Sequence, residues 1–150
     1  MLNPDFKELL RLFNDHSVEY LVVGGYALSA HGHPRYTGDI DLWIGADLGN
    51  SRRVMTALRD FGFGALGLKE EDFQRPQQVI QLGYPPARID LMTDIDGVAF
   101  AECWPRRVEI SMGDLKIPVL SREDLMTNKA ATGRLQDLAD LEKLRTPGKS

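Results

Sequence analysis

Phe6, Leu9, Leu10 and Phe13 fall on one side of a 3.6-residue period, which predicts a helix over residues 5–16 with Asn3 or Asp5 as its cap around Pro4. The run Glu19–Val23 is short and apolar, as a buried strand is, and Gly24-Gly25 leads from it into a helix-compatible segment, Tyr26–Ala30, that ends near Gly32 and Pro34. Asp39–Ile44 alternates and predicts a second strand. Residues 48–61 are amphipathic, with Val54, Met55, Leu58 and Phe61 opposite Arg52, Arg53, Arg59 and Asp60, and end at Gly62 and Gly64. Residues 62–75 are rich in glycine and charge and predict a mobile loop.

Residues 78–83 and 87–92 predict two strands joined at Tyr84-Pro85-Pro86, and residues 97–103 a short helix. Val108–Met112 and Leu115–Val119 predict a hairpin about Gly113-Asp114. From Ser121 onward the pattern is helical: Ser121 caps, Asp124 holds the capping-box position, Leu125, Leu135, Leu138, Leu141 and Leu144 form the apolar stripe, and Gly133 interrupts it. This order of elements predicts one mixed α/β (α+β) domain over residues 1–150.

Composition narrows the class. A chain of 150 residues, 43% hydrophobic, is large enough for one core. A formal charge of -4 argues against a surface built throughout to hold nucleic acid, though a local basic groove is compatible with it. The single Cys103 forms no internal disulfide and no zinc spacing exists, which fits a reducing cytoplasm. No apolar run approaches a membrane span and the first residues lack a signal-peptide pattern, so a soluble cytoplasmic protein without a membrane partner is expected.

The chemistry concentrates in Asp39-Ile40-Asp41-Leu42, where strand alternation turns Asp39 and Asp41 to one face. Paired carboxylates on a rigid face suit a hard cation such as Mg²⁺, which keeps waters and is shared with substrate phosphates. On a solvated strand face the pair would mean nothing, but its surroundings favour chemistry. Gly24-Gly25 lies upstream between strand and helix, where absent Cβ atoms let backbone amides approach a phosphate, although an ordinary tight turn has the same composition. In Arg88-Ile89-Asp90-Leu91-Met92, Asp90 alternates with apolar neighbours and offers a third carboxylate. Its plain reading is an edge aspartate paired with Arg88. Metal ions that clamp attacking and leaving oxygens sit about 3.5–4 Å apart and need shared ligands of this kind.

The stretch from Gly24-Gly25 through Ser29, His31, His33, Pro34 and Arg35 to Asp39-Ile40-Asp41-Leu42-Trp43 resembles the nucleotidyltransferase superfamily of the DNA polymerase beta type. More narrowly it resembles small bacterial nucleotidyltransferase-like proteins related to abortive-infection toxins. The resemblance implies a mixed central sheet flanked by helices, with a helical C-terminal segment at about residues 121–145. It makes Asp39, Asp41 and Asp90 the catalytic and metal-holding carboxylates, with Mg²⁺ or Mn²⁺ as cofactor. Leu120–Lys129 with Arg134, Asp137 and Asp140 resembles the rear segment, in which a lysine, here Lys129, faces the nucleotide. Gly25 stands where many members carry a serine that holds the triphosphate, so backbone amides or Ser29 must do more.

The implied activity is transfer of an NMP from an NTP to a hydroxyl of RNA (a tRNA end among the candidates), protein or a small molecule. A cognate antitoxin is an implied partner. Gly24, Gly25, Arg35 and Lys129 are the candidate nucleotide-binding residues; Arg35 suits phosphate oxygens bidentately, while a surface arginine and a solvated helix lysine are the plain alternatives. A domain of this fold that binds nucleotide or a partner without turnover is the alternative function, and the carboxylate trio argues against it. A sugar transferase using Asp-x-Asp fits less well with the upstream glycine turn. Asp94-Ile95-Asp96-Gly97 is no calcium loop, because the first and twelfth loop positions would be Met92 and Cys103. If the acceptor is RNA, Arg52, Arg53, Arg106, Arg107 and Lys116 should gather on the rim of the carboxylate cleft.

Overall fold

The computed structural model describes residues 3–34, 38–64, 67–83 and 87–146. Helix α1 (Pro4–Asp15) begins where the Asn3 side chain accepts the Asp5 N–H, with Pro4 in the first turn, where its missing donor costs nothing. It buries Phe6, Leu9, Leu10 and Phe13. Strand β1 (Tyr20–Val23) is buried at every position, which suits a central strand, and α2 (Gly24–Ala30) follows without a linker. Then come β2 (Ile40–Ile44) and α3 (Leu48–Phe61), the latter capped by Asp47 and closed by Gly62 in a left-handed conformation.

The stretch expected as a loop contains a 3₁₀ turn (Glu70–Phe73), tied down by the buried Phe73 ring. Beyond it lie β3 (Val79–Leu82), β4 (Ile89–Met92), α4 (Phe100–Cys103), β5 (Val108–Met112) and β6 (Leu115–Val119). The C-terminal helical segment is two helices, α5 (Arg122–Thr132) and α6 (Leu135–Arg145), because Gly133 takes φ +68° and turns the chain back.

The six strands form one mixed sheet in the order β3-β4-β2-β1-β6-β5. β1 runs antiparallel to β2 and parallel to β6, β2 runs parallel to β4, and the two edge pairs are antiparallel. Alternation then sorts the side chains. Val22, Ile40, Leu42, Ile89, Leu91, Ile117 and Val119 share the face on which α1 and α2 pack, with Phe13 edge-on to Tyr20 at 5.4 Å. Val23, Asp41, Trp43, Asp90 and Met92 share the other face, where Phe100 of α4 meets Trp43 edge-on at 5.2 Å and α5 forms the facing wall.

Several expected element bounds move by one to three residues, and two of these shifts bear on the site. The helix expected from Tyr26 starts at Gly24, and the strand expected from Asp39 starts at Ile40. Asp39 lies just outside the ladder, where its carboxylate, not its backbone, accepts the Arg88 N–H at 3.1 Å.

Candidate active site

The parallel pairing of β2 with β4 sets Asp41 directly opposite Asp90, and the antiparallel pairing of β1 with β2 sets Val23 opposite Asp41. Two carboxylates therefore stand side by side on one face, at the end of the sheet where β1 gives way to α2. Gly24 occupies that junction with φ +68°, and a Cβ there would lie 2.3 Å from Asp41 Oδ2. Glycine is required at 24 both for its backbone angle and because the Asp41 carboxylate fills the space a side chain would take.

Arg88 completes the group. Its Nε donates to Asp90 Oδ1 at 2.7 Å and its Nη2 to Asp90 Oδ2 at 3.1 Å, a two-pronged pair, while Nη2 also lies 3.3 Å from Asp39 Oδ2. The plain sequence reading of Asp90, as a partner of Arg88, is thus present in the structure together with its register beside Asp41. Burial, and then the charges of Asp90 and Asp39, push the Asp41 carboxyl up from 3.8 to about 6, against the smaller opposing pull of Arg88 and Lys129.

Beside these carboxylates opens a cleft of about 240 Å³, lined by Val23, Gly24, Asp41 and Met92 from the sheet end and by Asn128, Lys129, Thr132, Arg134 and Asp137 from α5 and the start of α6. Asp94, Ile95 and Asp96 form its third side. Gly97 lets that loop close against α5: it has φ +84°, and a Cβ would meet the Ala131 Cβ at 2.6 Å.

Lys129 reaches this cleft but is only 5% exposed, and its Nζ donates to Asp137 Oδ1 at 3.1 Å and Asp140 Oδ2 at 2.9 Å. Thr132 Oγ1 and Arg134 Nε donate to the second Asp137 oxygen at 2.7 and 2.6 Å. Burial pushes the Asp137 carboxyl up, but hydrogen bonds from Thr132, Arg134 and Lys129 outweigh it and hold the group below the ordinary carboxylate value.

The structure thus brings Asp39, Asp41, Asp90 and Gly24 together, with Lys129 on the facing wall. Gly25 is buried beneath the turn, and Arg35 lies outside the described residues. His31 is engaged with the fold, its Nε2 lying 2.8 Å from the Leu120 carbonyl oxygen.

The five basic groups expected on the rim if the acceptor were RNA do not line the cleft. Arg52 meets Glu70, Arg53 meets Asn50, Arg106 pairs with Asp124, and Arg107 lies over the Trp104 ring at 4.0 Å. Lys116 lines a separate groove with Trp104 and Arg107.

Two contributions escaped the sequence reading. Arg88 was read as the partner of Asp90, but its reach to Asp39, which depends on β4 lying beside β2, was not. The grip of Asp137 and Asp140 on Lys129 needs the α5–α6 turn, for which Gly133 was the sign.

An all-carboxylate donor set, with Asp41 raised by burial and then by the charges of Asp90 and Asp39, fits a hard divalent cation. The three aspartates are the residues that could hold it. Among the described residues no three such ligands already converge as a metal centre, and Arg88 stands between two of the three.

The six-stranded mixed sheet with helices on both faces is the nucleotidyltransferase fold. Solved structures share it along nearly the whole chain. A lincosamide antibiotic adenylyltransferase, LnuA, with lincomycin bound, superposes with a TM-score of 0.58 at 16% identity over 97% of this chain and 98% of its own. A Thermotoga maritima protein described as a candidate nucleotidyltransferase gives 0.56 at 17% identity over 97% and 93%. An antigenic nucleotidyltransferase-like protein from Paracoccidioides brasiliensis gives 0.50 at 18% identity over 91% and 71%. The chain belongs to the family described as nucleotidyltransferase of unknown function (DUF6036), whose model matches residues 2–146. No curated protein sequence matches it.

Proposed function

We propose that this protein transfers an NMP from an NTP to a hydroxyl of a small-molecule acceptor, with Mg²⁺ or Mn²⁺ held by Asp39, Asp41 and Asp90. The observation that carries this reading is the register of Asp41 opposite Asp90 beside the side-chain-free Gly24. A bound divalent cation would supply charge neutralisation at the phosphates, the largest demand of phosphoryl transfer. The chain supplies placement. Asp90, buried and oriented by β4, would take the acceptor's hydroxyl proton once the Arg88 guanidinium releases one of its oxygens. Gly24 leaves room for the Asp41 carboxylate at the edge of the cleft.

Lys129 has its charge committed to two buried carboxylates, so its task is to hold the α5–α6 wall. Arg134, on the same wall and largely exposed, is the cation better placed to meet the triphosphate. The cleft carries Asp41, Asp94, Asp96 and Asp137, while the five basic groups lie elsewhere, which favours a small acceptor over an RNA backbone. The lincomycin-bound neighbour, an adenylyltransferase of lincosamide antibiotics, has the same fold.

The test is incubation of purified protein with each radiolabelled NTP, Mg²⁺ and cell extract, followed by separation of RNA, protein and small molecules. Label should enter the small-molecule fraction, change little between low and high salt, and vanish in Asp39→Asn and Asp41→Asn. Label in RNA that falls steeply with salt would replace the acceptor assignment. The Arg88–Asp90 pair favours a second reading, a domain that binds nucleotide without turnover, and binding with no label in any fraction would select it.

A further inference from the structure

We propose that Arg88 is a resident cation that holds Asp39 and Asp90 in the metal-free protein, must yield them for a divalent ion to load, and thereby couples metal loading to nucleotide binding. The inference rests on the metal-dependent reading above and concerns what the chain does before metal arrives.

The geometry is that of a placeholder. The guanidinium engages both oxygens of Asp90, at 2.7 and 3.1 Å, and reaches Asp39 at 3.3 Å with the nitrogen that closes the Asp90 pair. The Arg88 backbone N–H holds the other Asp39 oxygen at 3.1 Å, and the Arg88 carbonyl accepts the Ile40 N–H at 3.0 Å. Asp90 is only 7% exposed, so the water that would otherwise solvate its charge is largely excluded and Arg88 is its principal counter-charge. A metal ion drawing on Asp90 must take oxygens that the fork already occupies.

A guanidinium cannot step aside by losing a proton, because it stays protonated at every pH at which the protein is folded. It can only swing away with its charge. Three carboxylates and Arg88 sum to a charge of about −2, so one divalent ion neutralises the cluster while Arg88 remains, and further loading leaves a cationic excess. A triphosphate removes that excess and gives the displaced fork an anionic partner of matching geometry. Metal and nucleotide therefore favour each other's binding through Arg88, and by linkage the effect is reciprocal.

Mn²⁺ binding tests this without recourse to turnover. Free Mn²⁺ is measured by electron paramagnetic resonance in titrations of wild type, Arg88→Gln and Arg88→Lys, with and without a non-transferable NTP analogue. Arg88→Gln should bind Mn²⁺ at least about tenfold more tightly than wild type when nucleotide is absent, and the analogue should enhance Mn²⁺ binding less than in wild type. Arg88→Lys keeps the charge but loses the fork, should fall between the two, and carries the test if the Gln variant does not fold.

Mn²⁺ affinity that is unchanged or weaker in both variants would make Arg88 a structural partner of Asp90 and overturn the inference, while leaving the metal site standing. No Mn²⁺ binding by any form, with or without the analogue, would overturn the metal-dependent reading itself and this inference with it.

Discussion

The burial of Asp41 among like charges predicts that it destabilises the metal-free protein, and its removal should show this in both sign and size. Its carboxyl is raised from 3.8 to about 6 by burial and by the charges of Asp90 and Asp39. A carboxyl raised on folding binds protons more tightly in the native state, so its contribution is most favourable below about pH 4 and is lost as pH rises through about 6. The difference between 3.8 and about 6 corresponds to about 3 kcal/mol at pH 8, an upper figure because the group is partly open to solvent.

Asp41→Asn removes the charge at nearly constant volume. In EDTA at pH 8 the variant should be more stable than wild type by roughly 1–3 kcal/mol, a rise in midpoint of roughly 3–10 °C for a domain of this size. The assay is urea denaturation of both proteins at several values between pH 4 and 8, with the slopes checked for equality. Taking the difference between the two proteins cancels the titrating groups that do not interact with Asp41 and leaves Asp41 with its coupled neighbours Asp90 and Asp39. The advantage of the variant should shrink as pH falls and be nearly gone at pH 4. A variant no more stable at pH 8, or an advantage that does not change with pH, would refute the electrostatic account of this site.

Gly24→Ala should cost roughly 1–2 kcal/mol for its left-handed backbone alone and lower transfer at least about tenfold by moving Asp41; unchanged stability and transfer would show that the cradle is irrelevant. Lys129→Met leaves Asp137 and Asp140 buried without their shared cation and should lose about 3–5 kcal/mol in denaturation, much of it recovered when both aspartates are also changed to Asn. A loss below about 1 kcal/mol would mean that the triad is dispensable. An NTP should raise the thermal midpoint only with Mg²⁺ or Mn²⁺ present, and an equal rise in EDTA would place the nucleotide away from the three aspartates.

Periodicity is local, and what depends on it was legible in the chain. Phe6, Leu9, Leu10 and Phe13 sit in the core, Ser121 caps α5 and Gly133 breaks the rear helix, as their spacing and backbone preferences dictate. The common facing of Asp39 and Asp41 likewise needs only the two-residue period of a strand. Opposition of Asp41 to Asp90 could not be read in this way, because it depends on β4 joining β2 in parallel and in one register among several that alternation would allow.

The partners of charged groups were hidden for the same reason. Arg88 takes Asp90 from two residues away but Asp39 from 49 residues away. Lys129 is turned inward because α6 folds back beyond Gly133 and presents two aspartates to it. The basic residues that composition left free to form a rim are instead spread around the surface, each next to whatever the packing of distant segments brought to it. A residue's type and face follow from its neighbours in sequence, whereas the group that satisfies its charge is chosen by which strands and helices the core brings together.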